Sequence, residues 1–215
     1  MKILMIYPQI DAPLGTNHGI ASLAGVLHAN GHELDLMHVS EKYKPVPSSQ
    51  EIIEYIRETK PGLVGFSVMS QQMEWVEEKS KDIREVIPEL VQVIGGVHCT
   101  MVPDEVHKSK MFDYVCVGEG DWALLELMDS LEKGKTPHTL ANFRSWMGGV
   151  PVSNPVAPFP DLEKLPPLDY EVFDMQAVMK ETRGWMGILT SRGCPYKCTY
   201  CFNIEIVDQY IEDGA

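Results

Sequence analysis

The feature that most constrains the fold is the alternation of short apolar runs with helical periodicity over the first 135 residues. Five apolar runs are each followed by a helix or a helix-like segment, which is typical of a parallel sheet covered on both faces. The runs are KILMIY at 2–7, HELDLMHV at 32–39, LVGFSV at 63–68, LVQVIGG at 90–96 and YVCVGEG at 114–120. The sequence therefore predicts a doubly wound α/β domain, Rossmann-like or flavodoxin-like, with five parallel strands in the order 2-1-3-4-5.

The pattern changes after residue 135. A small hairpin is predicted to turn at Gly148 and Gly149, and the proline-rich stretch that follows cannot sustain a helix or a central strand, so it is predicted to be an ordered, extended linker. A further apolar strand is predicted in WMGILTSRGC at 185–194. We expect three parts: a ligand-binding domain at 1–135, a hairpin and linker at 136–180, and the start of a second domain at 181–215.

Composition excludes several functions. The net charge of −13 is not interrupted by a basic run, so we expect no direct nucleic-acid partner. No apolar run approaches the ~18 residues that a transmembrane helix needs, and we expect a cytoplasmic protein. Five cysteines are an odd number, and three of them are clustered, which favours metal or redox chemistry over a disulfide framework.

Small residues lie in the loops after the predicted strands, where ligands bind in sheets of this type. Glycines there let a bulky ligand approach the backbone, and the Ser67 hydroxyl could donate a hydrogen bond to it. The alternative is that such glycines only make tight turns. The candidate binding residues are Gly15 and Thr16 after strand one, Ser67, Val68, Met69 and Ser70 after strand three, Gly95, Gly96, Val97 and His98 after strand four, and Gly118, Glu119 and Gly120 after strand five.

Three cysteines, Cys194, Cys198 and Cys201, form a C-x3-C-x2-C motif. Three thiolates on one short loop can bind three irons of a [4Fe-4S] cluster and leave the fourth iron open for a substrate. The alternative ligand is zinc, but a structural zinc site normally uses four ligands in C-x2-C pairs, and no second pair or nearby histidine is present. We predict an iron-sulfur cluster.

The first 135 residues resemble the cobalamin-binding domain of corrinoid enzymes. In that family a Ser-x-Leu motif and a Gly-Gly pair line a slot for the dimethylbenzimidazole tail of cobalamin; Ser67-Val68-Met69 and Gly95-Gly96 match, with methionine in place of leucine. The resemblance also implies that His98, Cys99, Glu119 and Asp121 shape the corrin pocket, while Cys116 is predicted to be a buried apolar side chain.

One family motif is missing. Members that coordinate cobalt carry Asp-x-His-x-x-Gly after strand one, and no histidine follows Asp11 at that spacing. His18 could in principle reach a metal, or it could cap, pack or face solvent. The missing motif implies cobalamin with its tail displaced and no protein histidine on cobalt, as in the radical-enzyme branch of the family.

The cysteine segment is similar to the start of radical S-adenosylmethionine enzymes, whose cluster chelates S-adenosylmethionine and cleaves it to a 5′-deoxyadenosyl radical. The resemblance implies a parent methyltransferase or oxidative cyclase acting on a small-molecule substrate. It also implies a barrel domain after residue 215, so we expect a fragment without activity of its own. Two alternatives remain: a stand-alone cobalamin-binding or carrier module, and, more weakly, a flavodoxin-like domain that binds no corrin.

Overall fold

A seven-stranded sheet organises the structure, a computed structural model that describes residues 1–42 and 44–214. The strands are β1 (Lys2–Pro8), β2 (Glu33–Val39), β3 (Leu63–Ser67), β4 (Val91–Gly95), β5 (Tyr114–Cys116), β6 (Phe143–Met147) and β7 (Val150–Ser153). Their order is β2-β1-β3-β4-β5-β6-β7, so the predicted order of the first five is confirmed, and these pair in parallel.

The prediction of a five-stranded sheet is wrong. The hairpin turning at Gly148 and Gly149 is present, but its first strand pairs antiparallel with β5, and β7 then pairs with β6. A sheet ending at β5 would leave the N–H and C=O groups of that strand without partners. The hairpin supplies those partners, for example by placing Ser145 opposite Tyr114.

Eight α-helices accompany the strands in the described residues. They are α1 (His18–Ala29), α2 (Ser49–Thr59), α3 (Met73–Val86), α4 (Val97–Met101), α5 (Pro103–Lys108), α6 (Asp121–Glu132), α7 (Met175–Glu181) and α8 (Asn203–Glu212). A capping box formed by Ser48 and Glu51 begins α2. Val97 and His98 were expected to lie in the loop after strand four, and they instead begin the short helix α4, which the short helix α5 follows.

The sheet separates two apolar cores. On one face Ile3, Met5 and Leu63 pack with residues of α1 and α6 such as Leu27 and Leu127. On the other face Leu4, Ile6 and Val64 pack with α2 and α3, for example through Ile52 and Ile83. Because successive residues of a strand point to opposite faces, a strand covered on both sides is apolar at nearly every position. This accounts for the continuous apolar runs in the sequence.

The predicted extended linker runs along α1. Residues 154–173 contain no helix or strand, and their backbone hydrogen-bonds to α1 where the Asp169 N–H donates to the Ala21 carbonyl at 2.8 Å. The contact is close, since a Cβ atom at Gly25 would lie 2.2 Å from the Pro167 carbonyl oxygen. The linker is therefore packed against the first domain.

The strand predicted at 185–194 is not formed. This segment has no regular secondary structure, and the side chains of Trp185 and Ile188 are 80% and 74% exposed. An extended segment becomes a strand only when a neighbouring strand pairs with its N–H and C=O groups. None of the seven strands in the described residues pairs with it. The segment is followed by the helix α8 near the end of the chain.

None of the helices formed by residues 1–42 and 44–214 is both long and apolar enough to cross a lipid bilayer.

Candidate functional site

A cavity of about 330 Å³ opens at the carboxyl ends of β1, β3, β4 and β5, and we call it the slot. It extends between the sheet and helices α1 and α6, at the position where a doubly wound sheet binds its ligands. Nine of the thirteen predicted binding residues line it: Ser67, Val68, Met69, Gly95, Gly96, Val97, Gly118, Glu119 and Gly120. The loops after β3, β4 and β5 are thus brought together as predicted.

The wall of the slot is mainly apolar. Met5 and Tyr7 of β1, Ile20 and Leu23 of α1, and Leu124 of α6 contribute much of it. The slot has the size of a small-molecule site, which typically measures ~300–1,000 Å³ and combines apolar walls with a few polar groups. Such walls suit a flat aromatic group, and the dimethylbenzimidazole tail of cobalamin is one.

Gly96 is required for a reason that differs from the predicted one. We expected glycine here to leave room for the ligand. In the structure a Cβ atom at Gly96 would lie 2.8 Å from both the nitrogen and the oxygen of Val68, in backbone with φ +102°. The Val68 N–H donates to the Gly95 carbonyl at 3.0 Å, and the Val68 carbonyl accepts from the His98 N–H at 3.3 Å. Gly96 therefore lets the β3 and β4 loops meet and shape the slot.

Gly65, in the middle of β3, also lines the slot and was not predicted. A Cβ atom there would lie 2.9 Å from Cε of Met5 and 3.0 Å from Cδ1 of Ile3. The sequence carried a signal for this residue, because a glycine inside a strand often marks a place where another group approaches closely. Gly65 lets the Met5 side chain pack across the sheet at the floor of the slot.

The other four predicted binding residues do not line the slot. They are Gly15, Thr16, Ser70 and His98. The Gly15 N–H donates to Oε1 of Gln9 at 3.1 Å. Ser70 and His98 pair with each other, with 2.9 Å between Oγ and Nδ1. Their assignment as binding residues stays a prediction.

His18 contacts the linker. Its Nδ1 lies 2.7 Å from the Tyr170 hydroxyl oxygen, and the two rings meet edge to face. His18 is also absent from the lining of the slot. The arrangement agrees with the packing alternative for His18, and the cap of α1 is made by Asn17, which accepts from the Ile20 N–H.

Two of the cysteines are buried, and one of them, Cys116, lies beside the slot. Cys116 is buried as predicted and lines the wall, while Cys99 is fully buried in the opposite core. Burial raises the pKa of Cys116 to about 12, and nearby Glu119 and Asp121 add to the effect. Burial also raises the pKa of Cys99. Both thiols therefore stay protonated at neutral pH, in contrast to the thiolates that a metal requires.

The mouth of the slot is charged. Glu119 and Asp121 form ion pairs with Arg192, at 2.7 Å and 2.6 Å from its guanidinium. Burial raises the pKa of Glu119, the positive charge of Arg192 opposes this shift, and the negative charge of Asp121 adds to it. Hydrogen bonding to Asp121 raises the pKa of Arg192. Sequence reasoning missed Arg192, although it stands only two positions before the cysteine motif.

A second contact from the end of the chain meets the same loop. Tyr210 of α8 is 2% exposed, and its hydroxyl oxygen accepts from the Glu119 N–H at 2.8 Å. A Cβ atom at Gly118 would lie 2.5 Å from that oxygen. The Tyr210 ring stacks on Phe159 of the linker, with centroids 3.8 Å apart and planes at 7°. Tyr210 thus holds the loop after β5, although it lies 91 positions after Glu119 in the sequence.

The three motif cysteines lie on the loop that follows Arg192. Cys194 is exposed, Cys198 and Cys201 are partly buried, and all three are free thiols. The Cys201 N–H donates to the Cys198 carbonyl at 2.9 Å, which forms a turn. Among the described residues, the three sulfur atoms are not a set within 4.8 Å of one another. Three free thiols on one short loop are the ligands that a [4Fe-4S] cluster uses, with one cysteine at each of three irons, so the chemistry of the donor set fits the cluster.

Comparison with known proteins places the first domain in a family. A family profile described as the B12 binding domain matches residues 12–128, more than half of the chain. An uncharacterised methyltransferase of Pyrococcus horikoshii is 24% identical over 210 residues, covering 94% of this chain and 45% of its own length. The anaerobic magnesium-protoporphyrin IX monomethyl ester cyclase of Rubrivivax gelatinosus is 26% identical over 215 residues, covering 94% of this chain and 38% of its own length.

A solved structure shares the fold. The cobalamin-dependent S-adenosylmethionine radical enzyme OxsB, with aqua-cobalamin and S-adenosylmethionine bound, matches with a TM-score of 0.75 at 18% identity, over 99% of this chain and 32% of its own. The chain thus spans less than half the length of the two relatives and of this structure. The matches to the two relatives cover more of the chain than residues 12–128, so the similarity continues past the first domain.

Proposed function

We propose, from the premise that this chain belongs to the B12 binding domain family, that it is the cobalamin-binding part of a radical S-adenosylmethionine enzyme. In this proposal residues 1–135 bind cobalamin, residues 136–180 connect, and residues 181–215 begin the domain that carries the cluster. We place the protein in the cytoplasm, where thiols stay reduced.

The observation that carries the proposal is the slot itself. It is mainly apolar, and its lining includes Ser67, Val68 and Met69 at the end of β3 and Gly95 and Gly96 at the end of β4. The nucleotide tail of cobalamin would lie between these loops, with the Ser67 hydroxyl placed to donate to a nitrogen of the tail. Because His18 contacts Tyr170 and is not in the lining, the slot offers no histidine for cobalt among the residues that line it.

The second part of the proposal concerns Cys194, Cys198 and Cys201, which would hold a [4Fe-4S] cluster with one iron open to S-adenosylmethionine. When bound, the cluster supplies one-electron cleavage of S-adenosylmethionine and cobalamin supplies a carrier for a methyl group. This chain contributes the three cysteine thiolates, the slot, and the ion pairs of Arg192 that join the cysteine loop to the mouth of the slot. The Pyrococcus and Rubrivivax relatives support a methyltransferase or an oxidative cyclase acting on a small molecule as the activity of the whole protein.

The test is an anaerobic titration of the chain with hydroxocobalamin, followed by visible absorption. We expect saturable binding at one site per chain. A Leu23→Trp variant should lose it, since Leu23 is partly buried and lines the slot, and the larger ring would fill the space of the tail. Leu23 is a better position than Gly96, where any side chain would push the β3 and β4 loops apart.

The matched control is Glu58→Trp. Glu58 is exposed on α2 and does not line the slot, so this variant adds the same ring without entering it. Equal affinity of the wild type and Glu58→Trp with loss in Leu23→Trp would support the slot. Equal affinity of all three would mean that cobalamin binds elsewhere, and no binding by the folded wild type would contradict the proposal.

A further inference from the structure

Arg192 joins the cysteine segment to the mouth of the slot through four hydrogen bonds. One guanidinium nitrogen donates to Oε2 of Glu119 at 2.7 Å and to Oδ2 of Asp121 at 2.6 Å. The other donates to Oδ1 of Asp121 at 3.1 Å and to Oγ of Ser22 at 2.7 Å. Ser22 also donates to Asp121. Arg192 stands two positions before Cys194, so these bonds fix the beginning of the cysteine loop.

These bonds are isolated in an otherwise exposed segment. Within the part of the chain that the structure describes, every hydrogen bond from residues 186–200 to residues 1–135 comes from the Arg192 side chain. Its neighbours Gly193 and Cys194 are exposed, and so is Ile188. Polar contact between the cysteine loop and the first domain therefore depends on one side chain.

The surroundings make the contact strong. The Arg192 side chain is 20% exposed and that of Asp121 is 4% exposed, so water competes little for these groups. A guanidinium that donates to both oxygens of one carboxylate fixes direction as well as distance. Only arginine has enough donors in a rigid plane to reach two carboxylates and a hydroxyl at once; lysine would keep the charge but lose this geometry.

We propose that Arg192 is a positioning residue that holds the cysteine loop at the mouth of the slot, with Glu119 and Asp121 as its receptors. The benefit of this position, a cluster close to bound cobalamin, rests on the function proposed above. The contact itself does not, because it is made entirely by side chains of this chain. A ligand in the slot would touch Glu119, which also lines it, so the same loop meets both partners.

The experiment compares three variants of the full 215-residue chain by hydrogen exchange and mass spectrometry, following the peptide at 191–201. Arg192→Met should accelerate amide exchange in this peptide by at least about tenfold, because the loop opens when its anchor is removed. Arg192→Lys should give a smaller increase. Arg183→Met is the matched control, since Arg183 is an exposed arginine outside the motif, and it should leave the peptide unchanged. Exchange in the first five strands should be the same in all variants.

A second variant, Glu119→Gln, keeps the proposal testable if Arg192→Met does not fold. Glu119→Gln removes one of the two receptor charges and keeps the arginine, so it should accelerate exchange of the same peptide to a lesser degree. Equal exchange at 191–201 in the wild type, Arg192→Met and Glu119→Gln would overturn the proposal.

A spectroscopic measurement distinguishes a residue that positions the cysteine loop at the slot from one that only stabilises the fold. After reconstitution with iron and sulfide and loading with cob(II)alamin, the magnetic interaction between the reduced cluster and Co(II) should broaden the electron paramagnetic resonance signal of the wild type. At equal loading with cluster and cobalamin, the broadening should be lost in Arg192→Met, partly restored in Arg192→Lys and kept in Arg183→Met. Unchanged broadening in Arg192→Met would overturn the proposal. Failure of the wild type to bind cobalamin would instead contradict the proposed function, and the exchange experiment would still decide the role of Arg192.

Discussion

Replacing Gly96 with alanine tests how closely the loops that form the slot approach each other. The new Cβ atom would lie 2.8 Å from the Val68 nitrogen and 2.8 Å from its oxygen. Both are backbone atoms in hydrogen bonds, so they cannot move aside as a flexible side chain would. The residue would also have to keep φ +102° and ψ −175°, a region that is essentially restricted to glycine.

The cost has two parts. The backbone conformation should cost about 1–3 kcal/mol for a residue with a side chain. Forcing a methyl group against fixed atoms should add about 1–3 kcal/mol. We therefore expect Gly96→Ala to lower the free energy of unfolding by about 2–6 kcal/mol, the sum of the two parts.

The assay is urea unfolding followed by circular dichroism, with Gly149→Ala as the control. Gly149 has φ +83° at the hairpin turn, and nothing lies within 4 Å of its Cβ position. In Gly149→Ala the left-handed backbone alone should lower the free energy of unfolding, by about 1–2 kcal/mol. The additional destabilisation of Gly96→Ala therefore reports the contact with Val68 together with the difference in cost between the two backbone conformations. Equal destabilisation by the two substitutions would refute the reasoning, because the loops could then separate at no cost.

Three other predictions concern single side chains. Burial and then the charge of Lys44 lower the pKa of His38 to about 4. As the pH falls, the unfolded chain, with a histidine pKa of about 6.5, takes up the proton before the folded chain does. The free energy of unfolding should therefore fall by about 2–3 kcal/mol between about pH 6.5 and about pH 4 and be constant above that range. Urea unfolding measured against pH should show this slope, and its absence would contradict a buried, neutral His38. Tyr210→Phe removes the acceptor of the Glu119 N–H, and hydrogen exchange at that amide should accelerate about fivefold; unchanged exchange would mean that the bond contributes nothing. Cys194→Ala should abolish iron and sulfide uptake on reconstitution whereas Cys116→Ala should retain it, and equal uptake by both would exclude the motif as the cluster site.

Much of the fold could be predicted because the signals were local. Each of the first five strands is a short run rich in apolar residues, and the Ser48–Glu51 capping box fixes the start of α2. The turn at Gly148 and Gly149 was visible for the same reason. What these signals could not show was pairing: the hairpin extends the sheet because β5 has a free edge, and the segment at 185–194 is not a strand because no described strand pairs with it.

The candidate site likewise contains residues that could be predicted from the sequence and residues that could not. Ser67 and Gly95 end strands β3 and β4, and Gly96 follows β4; because the order of these strands was predictable, the meeting of the three residues at the slot was predictable too. Arg192 and Tyr210 were missed because they contact residues 71 and 91 positions away, and nothing local in the sequence indicates such contacts. The short helix α4 was missed because five residues are too few to show helical periodicity.

The most direct test of the central claim is the electron paramagnetic resonance spectrum of cob(II)alamin bound to the chain. If the nucleotide tail lies in the slot and no histidine reaches the metal, the Co(II) signal should carry no splitting from an axial nitrogen. The Leu23→Trp variant, with its slot filled, should give only the spectrum of free cob(II)alamin. Nitrogen splitting in the wild-type complex would mean that the tail or a histidine remains on cobalt, and it would contradict the account of the slot.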